Sequence, residues 1–325
     1  MRRLVVTCLA ATLLTGCGMD GGGDPLQVTD TLVAATPATS PPVTADPAGT
    51  TTPAPPVQHL AYDPATRTLV AATGNALLLR TDGRPDRTVA LPSAPASLRV
   101  TDGHALTALP DTDQVVRTDL TTARTEITDV PGAPVDALDL DAQRLAVAHR
   151  DTRAVTIRQD GRPPVTSDGF TGPEQLIATG GTLHLLDSLT TSLTPVDTAD
   201  GSKGPGLRAG EGATQATTDR YGRILAVDTR GGELLAFSTD PLIMKQRYPV
   251  PGAPYDIAYD PARDLAWITL TATNEVVAYD VAGGQPREVH RLPTLGQPDS
   301  VAVDPAAGAV HIGSATGGGI QVVTP

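Results

Sequence analysis

Residues 254–280 decide the fold. They begin with Ile257-Ala258-Tyr259-Asp260-Pro261, a short alternating run that ends in an Asp-Pro turn. An apolar run, Leu265-Ala266-Trp267-Ile268, follows, and then Asn274-Glu275-Val276-Val277-Ala278-Tyr279-Asp280. Asp and Pro suit the first positions of a type I turn, so this pattern predicts three short strands joined by tight turns. A fourth, more polar strand is predicted at Arg287–Pro293.

The same four-strand pattern recurs along the chain. A residue that is usually proline precedes each first strand by about three positions, at Val57, Pro95, Pro134, Pro173, Ala213, Pro254 and Pro298. The spacings are 38, 39, 39, 40, 41 and 44 residues. Four short strands per period of about 40 residues are typical of a β-propeller blade. The sequence therefore predicts an all-β, seven-bladed propeller over residues 57–325.

The last repeat has only three strands before the chain reaches Pro325. An unpaired edge strand is a liability, so we expect an N-terminal segment to supply the fourth strand. Residues 26–33 alternate loosely between apolar and polar side chains and are the preferred donor. Residues 43–53 are the second candidate.

The first residues predict export and a lipid anchor. Arg2 and Arg3 precede an apolar run at residues 4–14, which is too short to span a bilayer but fits a signal peptide. The following Leu14-Thr15-Gly16-Cys17 resembles the bacterial lipobox, which implies that residues 1–16 are removed and that Cys17 is lipidated. The remaining cysteine, Cys8, lies within the predicted signal peptide.

Two further segments are predicted between the anchor and the propeller. Residues 17–25 are Gly-rich and are expected to be a flexible tether. Residues 34–56 are dominated by Thr, Pro, Ala and Ser and are expected to form a loop or linker, either plain or O-glycosylated. The predicted location is the extracytoplasmic face of the cell membrane, with the membrane as partner through the lipid on Cys17.

The composition argues against one class of partner, nucleic acid. The net charge is −12 and only 3% of residues are aromatic. An acidic surface repels phosphate backbones, and few rings are available for stacking on bases, so nucleic acid is not expected as a partner.

One set of aligned positions suggests a ligand site. Near the start of the first strand, every repeat carries a polar residue: His59, Ser97, Asp136, Gln175, Gln215, Asp256 and Ser300. We call this set the channel ring, because the first strands of propeller blades line the central channel. The ring either forms a polar pocket at the channel mouth or consists of ordinary turn and strand-start residues. A metal is left undetermined and no cofactor is predicted.

The repeat pattern resembles the YVTN and NHL-like propeller repeats of bacterial secreted proteins, and with the lipobox it resembles actinobacterial propeller lipoproteins. Missing catalytic motifs and the low aromatic content favour a non-catalytic binding or scaffold protein of the cell envelope, whose partner is an unknown envelope protein or small molecule. The alternative is a metal-dependent hydrolase or lyase similar to propeller lactonases or streptogramin lyases, with its site at the channel mouth.

Overall fold

A computed structural model describes residues 32–325, which form 28 β-strands and one short 3-10 turn at Pro110–Thr112. In chain order the strands are β1 Thr50–Thr52, β2 His59–Asp63, β3 Thr68–Thr73, β4 Ala76–Thr81, β5 Arg87–Ala90, β6 Ser97–Thr101, β7 His104–Leu109, β8 Gln114–Asp119, β9 Thr125–Asp129, β10 Pro134–Asp139, β11 Arg144–His149, β12 Ala154–Gln159, β13 Val165–Ser167, β14 Pro173–Thr179, β15 Thr182–Asp187, β16 Ser192–Val196, β17 Leu207–Arg208, β18 Ala213–Thr218, β19 Ile224–Asp228, β20 Glu233–Thr239, β21 Leu242–Pro249, β22 Pro254–Asp260, β23 Leu265–Leu270, β24 Glu275–Asp280, β25 Arg287–Pro293, β26 Pro298–Asp304, β27 Ala309–Ser314 and β28 Ile320–Val323.

The strands form seven four-stranded antiparallel sheets. Blades 1 to 6 are β2–β5, β6–β9, β10–β13, β14–β17, β18–β21 and β22–β25, and blade 7 is β26, β27, β28 and β1. The innermost strands β2, β6, β10, β14, β18, β22 and β26 pack side by side in that order, and β26 packs against β2. The blades thus close into a ring, which confirms the predicted seven-bladed propeller.

The hydrophobic core lies between neighbouring blades. All six residues of β23, Leu265–Leu270, are buried, as the continuous apolar run over its first four residues predicts for a strand covered on both faces. On one side Ile268 packs with Val227 of blade 5, and on the other Trp267 packs with Val301 of blade 7. Burying such a side chain contributes about 1.5–3 kcal/mol, so each blade is stabilised chiefly by its neighbours.

The Asp-Pro turns are held by the aspartate side chains. Asp260 Oδ1 accepts a hydrogen bond from the backbone N–H of Ala262 at 2.9 Å, and Asp304 Oδ1 accepts one from Ala306 at 2.9 Å. These side chains satisfy turn N–H groups that the sheet leaves unpaired, and this explains why the sequence repeats Asp at these positions.

The seventh blade is completed by β1. Thr50–Thr52 pairs antiparallel with β28, with Thr51 opposite Gln321. The N-terminal closure is thereby confirmed, and its donor is the second candidate segment, 43–53. The preference for residues 26–33 is corrected, because the edge of β28 is already paired with Thr50–Thr52.

The N-terminal predictions fall outside the described residues. This applies to the signal peptide at 1–16, to Cys17, to the tether at 17–25 and to residues 26–31. Within residues 32–325, no helix is long and apolar enough to cross a membrane.

The Thr/Pro-rich segment that precedes β1 is packed on the propeller. We call residues 33–49 the strap. It starts beside blade 5, where the carbonyl of Val33 accepts a hydrogen bond from Arg230 at 2.9 Å. It reaches the outer strand of blade 6 where Ala48 N–H donates to the carbonyl of Pro293 at 3.0 Å. The strap therefore runs along the disc from blade 5 to blade 7.

Candidate functional site

The channel-ring residues lie at the beginnings of the innermost strands. His59 and Ser97 are the first residues of their strands, and the other five are the third residues. In blades 3 to 7 the pairing of the innermost strand with the next strand shifts register at this point. A β-bulge of this kind bends the strand and redirects a side chain, so it orients ring residues out of the regular pleat.

Three ring residues bind the next blade rather than open solvent. Asp136 accepts a hydrogen bond from the N–H of Leu176 in blade 4 at 2.7 Å. Asp256 accepts one from Val301 in blade 7 at 2.8 Å.

Gln175 makes the same connection with a neutral side chain. Its Oε1 accepts from the N–H of Ala216 at 2.8 Å, and its Nε2 donates to the Ala216 carbonyl at 2.9 Å. In all three cases the partner directly follows the ring residue of the next blade. These side chains therefore join consecutive blades around the channel.

Arg99 is a channel residue that the sequence pattern did not identify. Its Nε donates to Asp136 Oδ1 at 2.9 Å, a terminal nitrogen donates to Oδ2, and the same nitrogen donates to the carbonyl of Leu176. Asp136 is only 1% exposed. One residue of blade 2 thus connects with blades 3 and 4. The available signal was a charged residue at the centre of an innermost strand whose other four residues are uncharged.

Two pockets share the channel mouth. The first encloses about 90 Å³ and is lined by Ser97, Arg99, Asp136 and Glu174, among others. The second encloses about 160 Å³. Both include His59, Leu98, Gln175 and Gln215. With a water molecule occupying about 30 Å³ in the liquid, these spaces suit water or a small polar ligand.

The second pocket adds Tyr255, Asp256 and Asp299 to its lining. Neither lining includes Ser300, which is buried with its hydroxyl beside Gly313, where a Cβ would lie only 2.4 Å from Oγ. The structure therefore brings six of the seven ring residues to the two pockets and places Ser300 within blade 7.

The ring residues free to contact a ligand are those without bonds between blades. Ser97 Oγ is enclosed by protein and has no hydrogen-bond partner within the described residues. Burial lowers the pKa of the His59 imidazole, although nearby Asp136 acts in the opposite direction. A neutral imidazole both donates and accepts a hydrogen bond. His59 is also bonded to the backbone of Pro95 at the start of blade 2, and Ser97 Oγ is enclosed. Gln215, which lines both pockets, is thus the ring side chain best placed for a polar ligand.

Burial shifts the acids of the mouth toward their neutral forms. It raises the pKa of Asp256 to about 7, against the opposing effect of two backbone N–H donors. It raises the pKa of Asp299 to about 6, and it also raises that of Glu174. The mouth therefore carries less negative charge near neutral pH than its carboxyl groups would suggest.

A metal site at the mouth would need at least three side chains of the ligating types close together. Within residues 32–325, no three His, Cys, Asp or Glu side chains come close enough together to hold a metal ion. The two oxygens of Asp256 accept backbone hydrogen bonds from Ile257 and Val301. Asp256 serves the fold in this arrangement.

The fold and the channel define a seven-bladed β-propeller. No family model and no curated protein matches the chain. Solved structures match in shape: virginiamycin B lyase from Staphylococcus aureus has a TM-score of 0.68 and 11% sequence identity, covering 83% of this chain and 94% of that chain. Hydrazine synthase from Kuenenia stuttgartiensis has a TM-score of 0.70 and 15% identity, covering 87% and 99%.

A chain of a mitotic checkpoint complex is also similar in shape, with a TM-score of 0.73 and 10% identity, covering 91% of this chain and 99% of that chain. These three proteins differ widely in what they do. At such low identity the likeness shows the fold alone.

Proposed function

We propose that this chain is a lipid-anchored propeller of the cell envelope that acts outside the cytoplasm as a non-catalytic binding or scaffold protein. The observation that carries the non-catalytic part is the use of the channel ring: Asp136, Gln175 and Asp256 are engaged in hydrogen bonds between blades. Side chains committed to backbone N–H groups stabilise the disc and are poorly placed to move protons on a substrate.

The anchor part of the proposal is supported by the Leu14-Thr15-Gly16-Cys17 pattern behind the short apolar run. The test is metabolic labelling with an alkyne fatty acid, followed by membrane fractionation. Cys17→Ala should abolish the label and release the protein from membranes. Cys8→Ala is the matched control, because it removes the other thiol and should leave label and location unchanged. Label that persists in Cys17→Ala would refute the anchor.

The binding part predicts that partners contact the channel mouth. A photo-crosslinking residue placed at Gln215 lies in both pockets. A residue placed at Gln143 lies in the exposed turn between β10 and β11, at the end of the innermost strand that is opposite to the channel mouth. Crosslinked products should form from Gln215 and not from Gln143. Equal products from both positions would contradict a mouth-specific partner.

The alternative function is a metal-dependent hydrolase or lyase. The observation that favours it is that His59 and Glu174 line the same pocket. Elemental analysis of protein purified without chelator separates the two proposals. A stoichiometric divalent ion that is lost in His59→Ala would replace the scaffold proposal with the enzyme, and an ion-free protein would leave the scaffold proposal standing.

A further inference from the structure

The strap is held by a set of hydrogen bonds centred on Ser40. Ser40 Oγ donates to the carbonyl of Thr271 at 2.6 Å and accepts from Gln297 N–H at 3.1 Å, while Ser40 N–H donates to Gln297 Oε1 at 3.0 Å. Ala38 N–H donates to Thr271 Oγ1 at 3.0 Å, and Gln297 Nε2 donates to the Ala38 carbonyl at 3.0 Å. Two strap residues thus bind loops of blades 6 and 7 together.

The contacts continue toward the closing strand. Asn274 Nδ2 donates to the carbonyl of Pro41 at 2.8 Å. Gln321, fully buried in β28, donates from Nε2 to the carbonyl of Ala48 at 2.8 Å and to that of Pro293 at 3.0 Å. A buried amide that bonds strap, blade 6 and blade 7 transmits the position of the strap to the edge of the ring.

The closing strand is short and lies on the surface. Thr50–Thr52 has three residues, all exposed, and pairs with β28. Its end is held by Thr52 Oγ1, which donates to the carbonyl of Ile320 at 3.3 Å, and by Arg80 of blade 1, which donates to Thr52 Oγ1 and to the carbonyl of Pro53. A strand this short still gains few contacts to offset the conformational entropy lost on ordering. The strap contacts, which hold the chain on the N-terminal side of the strand, therefore add to its order.

We propose that the strap is a latch for blade 7: the contacts of Ala38 and Ser40 control the opening of the β1–β28 edge ten or more residues further along the chain. Release starts at Val33 on blade 5, passes Ser40, and ends with the separation of β1 from β28. A pull or a cut on the N-terminal side of the strap thus opens one blade and leaves the other six closed. The latch does not depend on the lipid anchor.

The test is hydrogen–deuterium exchange on the full-length chain, comparing Ser40→Ala with Thr39→Ala. Thr39 is an exposed neighbour whose hydroxyl makes no hydrogen bond within the described residues, so it is the matched control. In Ser40→Ala those amides of β28, Ile320–Val323, that face β1 rather than β27 should exchange about tenfold faster, because two side-chain hydrogen bonds are lost. The amides of β12, Ala154–Gln159, in blade 3 should keep their rate.

A second full-length variant replaces residues 34–47 with a Gly/Ser segment of equal length and keeps β1. The latch predicts that β28 loses more protection than in Ser40→Ala while blade 3 remains protected. Two results would overturn the proposal: equal β28 rates in Ser40→Ala and Thr39→Ala, or an acceleration in Ser40→Ala that is as large in blade 3 as in blade 7. If the replacement variant does not fold, the serine and threonine pair decides alone.

Discussion

Removing the Asp136 carboxylate tests whether the channel ring belongs to the fold. Asp136 is buried and bonded to Arg99 and to the N–H of Leu176. Asp136→Ala leaves a largely enclosed guanidinium without its counter-ion, a change that costs about 3–5 kcal/mol in buried pairs. With whole-domain stabilities of about 5–15 kcal/mol, this is a large fraction of the total. The comparison variant is Asp86→Ala, which breaks the ion pair between Asp86 and Arg80. The Asp86 side chain is half exposed, so this change should lower the free energy of unfolding by only about 0–1 kcal/mol.

The assay is urea unfolding followed by the fluorescence of Trp267, the single tryptophan, and by circular dichroism. A double-mutant cycle with Arg99→Ala completes the measurement. The double variant should be less destabilised than the sum of the single variants, because it leaves no unpaired charge. If the loss of unfolding free energy in Asp136→Ala is within about 1 kcal/mol of the loss in Asp86→Ala, the Arg99–Asp136 ion pair does not stabilise the channel ring.

Three further predictions concern acidity and closure. Burial lowers the pKa of His311 to about 4 from an ordinary 6.5, so stability present above about pH 6.5 is lost as the pH falls toward 4. His311→Phe should flatten part of this decline in thermal melts, and an unchanged slope would contradict it. Burial raises the pKa of Asp256 to about 7 from 3.8, so stability should fall as the pH rises between these values. Asp256→Asn should show a flatter melting profile over that window; a profile parallel to the parent's would count against the assignment. Gly319 has φ +105°, and a Cβ there would lie 2.4 Å from the carbonyl oxygen of Thr52, so Gly319→Ala should cost at least about 1–3 kcal/mol in chemical unfolding. Gly283→Ala, which meets open space, should stay within about 0.5 kcal/mol, and equal losses would show that β1 closure adds no stability.

The fold was predictable because its turns and strand ends are determined by residues that are close together in the sequence. Asp260 bonds the turn that follows it, and the run from Leu265 to Ile268 is apolar because both faces of its strand are covered. Such features are visible in one repeat and become convincing when they recur at a spacing of about 40 residues. The number of blades and the positions of the innermost strands followed from this recurrence.

The closing strand was harder to choose because its sequence carries no burial signal. Thr50–Thr52 lies at the outer edge of a blade with all three side chains exposed, so no alternation of apolar and polar residues is required. Residues 26–33 do alternate, and this is why the sequence favoured them as the closing strand. Pairing with β28 is decided by backbone hydrogen bonds and by the strap, neither of which the pattern of side chains records.

The ring residues were found as a set, but the role of each one was not predictable. Asp136 and Gln175 act through the backbone of the next blade, about 40 residues away, and that contact depends on a bulge set by strand pairing. Arg99 lies outside the aligned position and reaches a carbonyl 77 residues further on. Contacts of this range emerge only from the assembled ring.

The pairing of the first described strand with the last has a consequence for biosynthesis. Thr52 bonds to a carbonyl 268 residues later, so the strand β1 leaves the ribosome long before the strand β28 with which it pairs. Blades 1 to 6 have all their strands in sequence and are free to form in order of emergence. Maturation therefore ends with a single late event at the seventh sheet, and a stalled or shortened product would present an unpaired β edge to its surroundings.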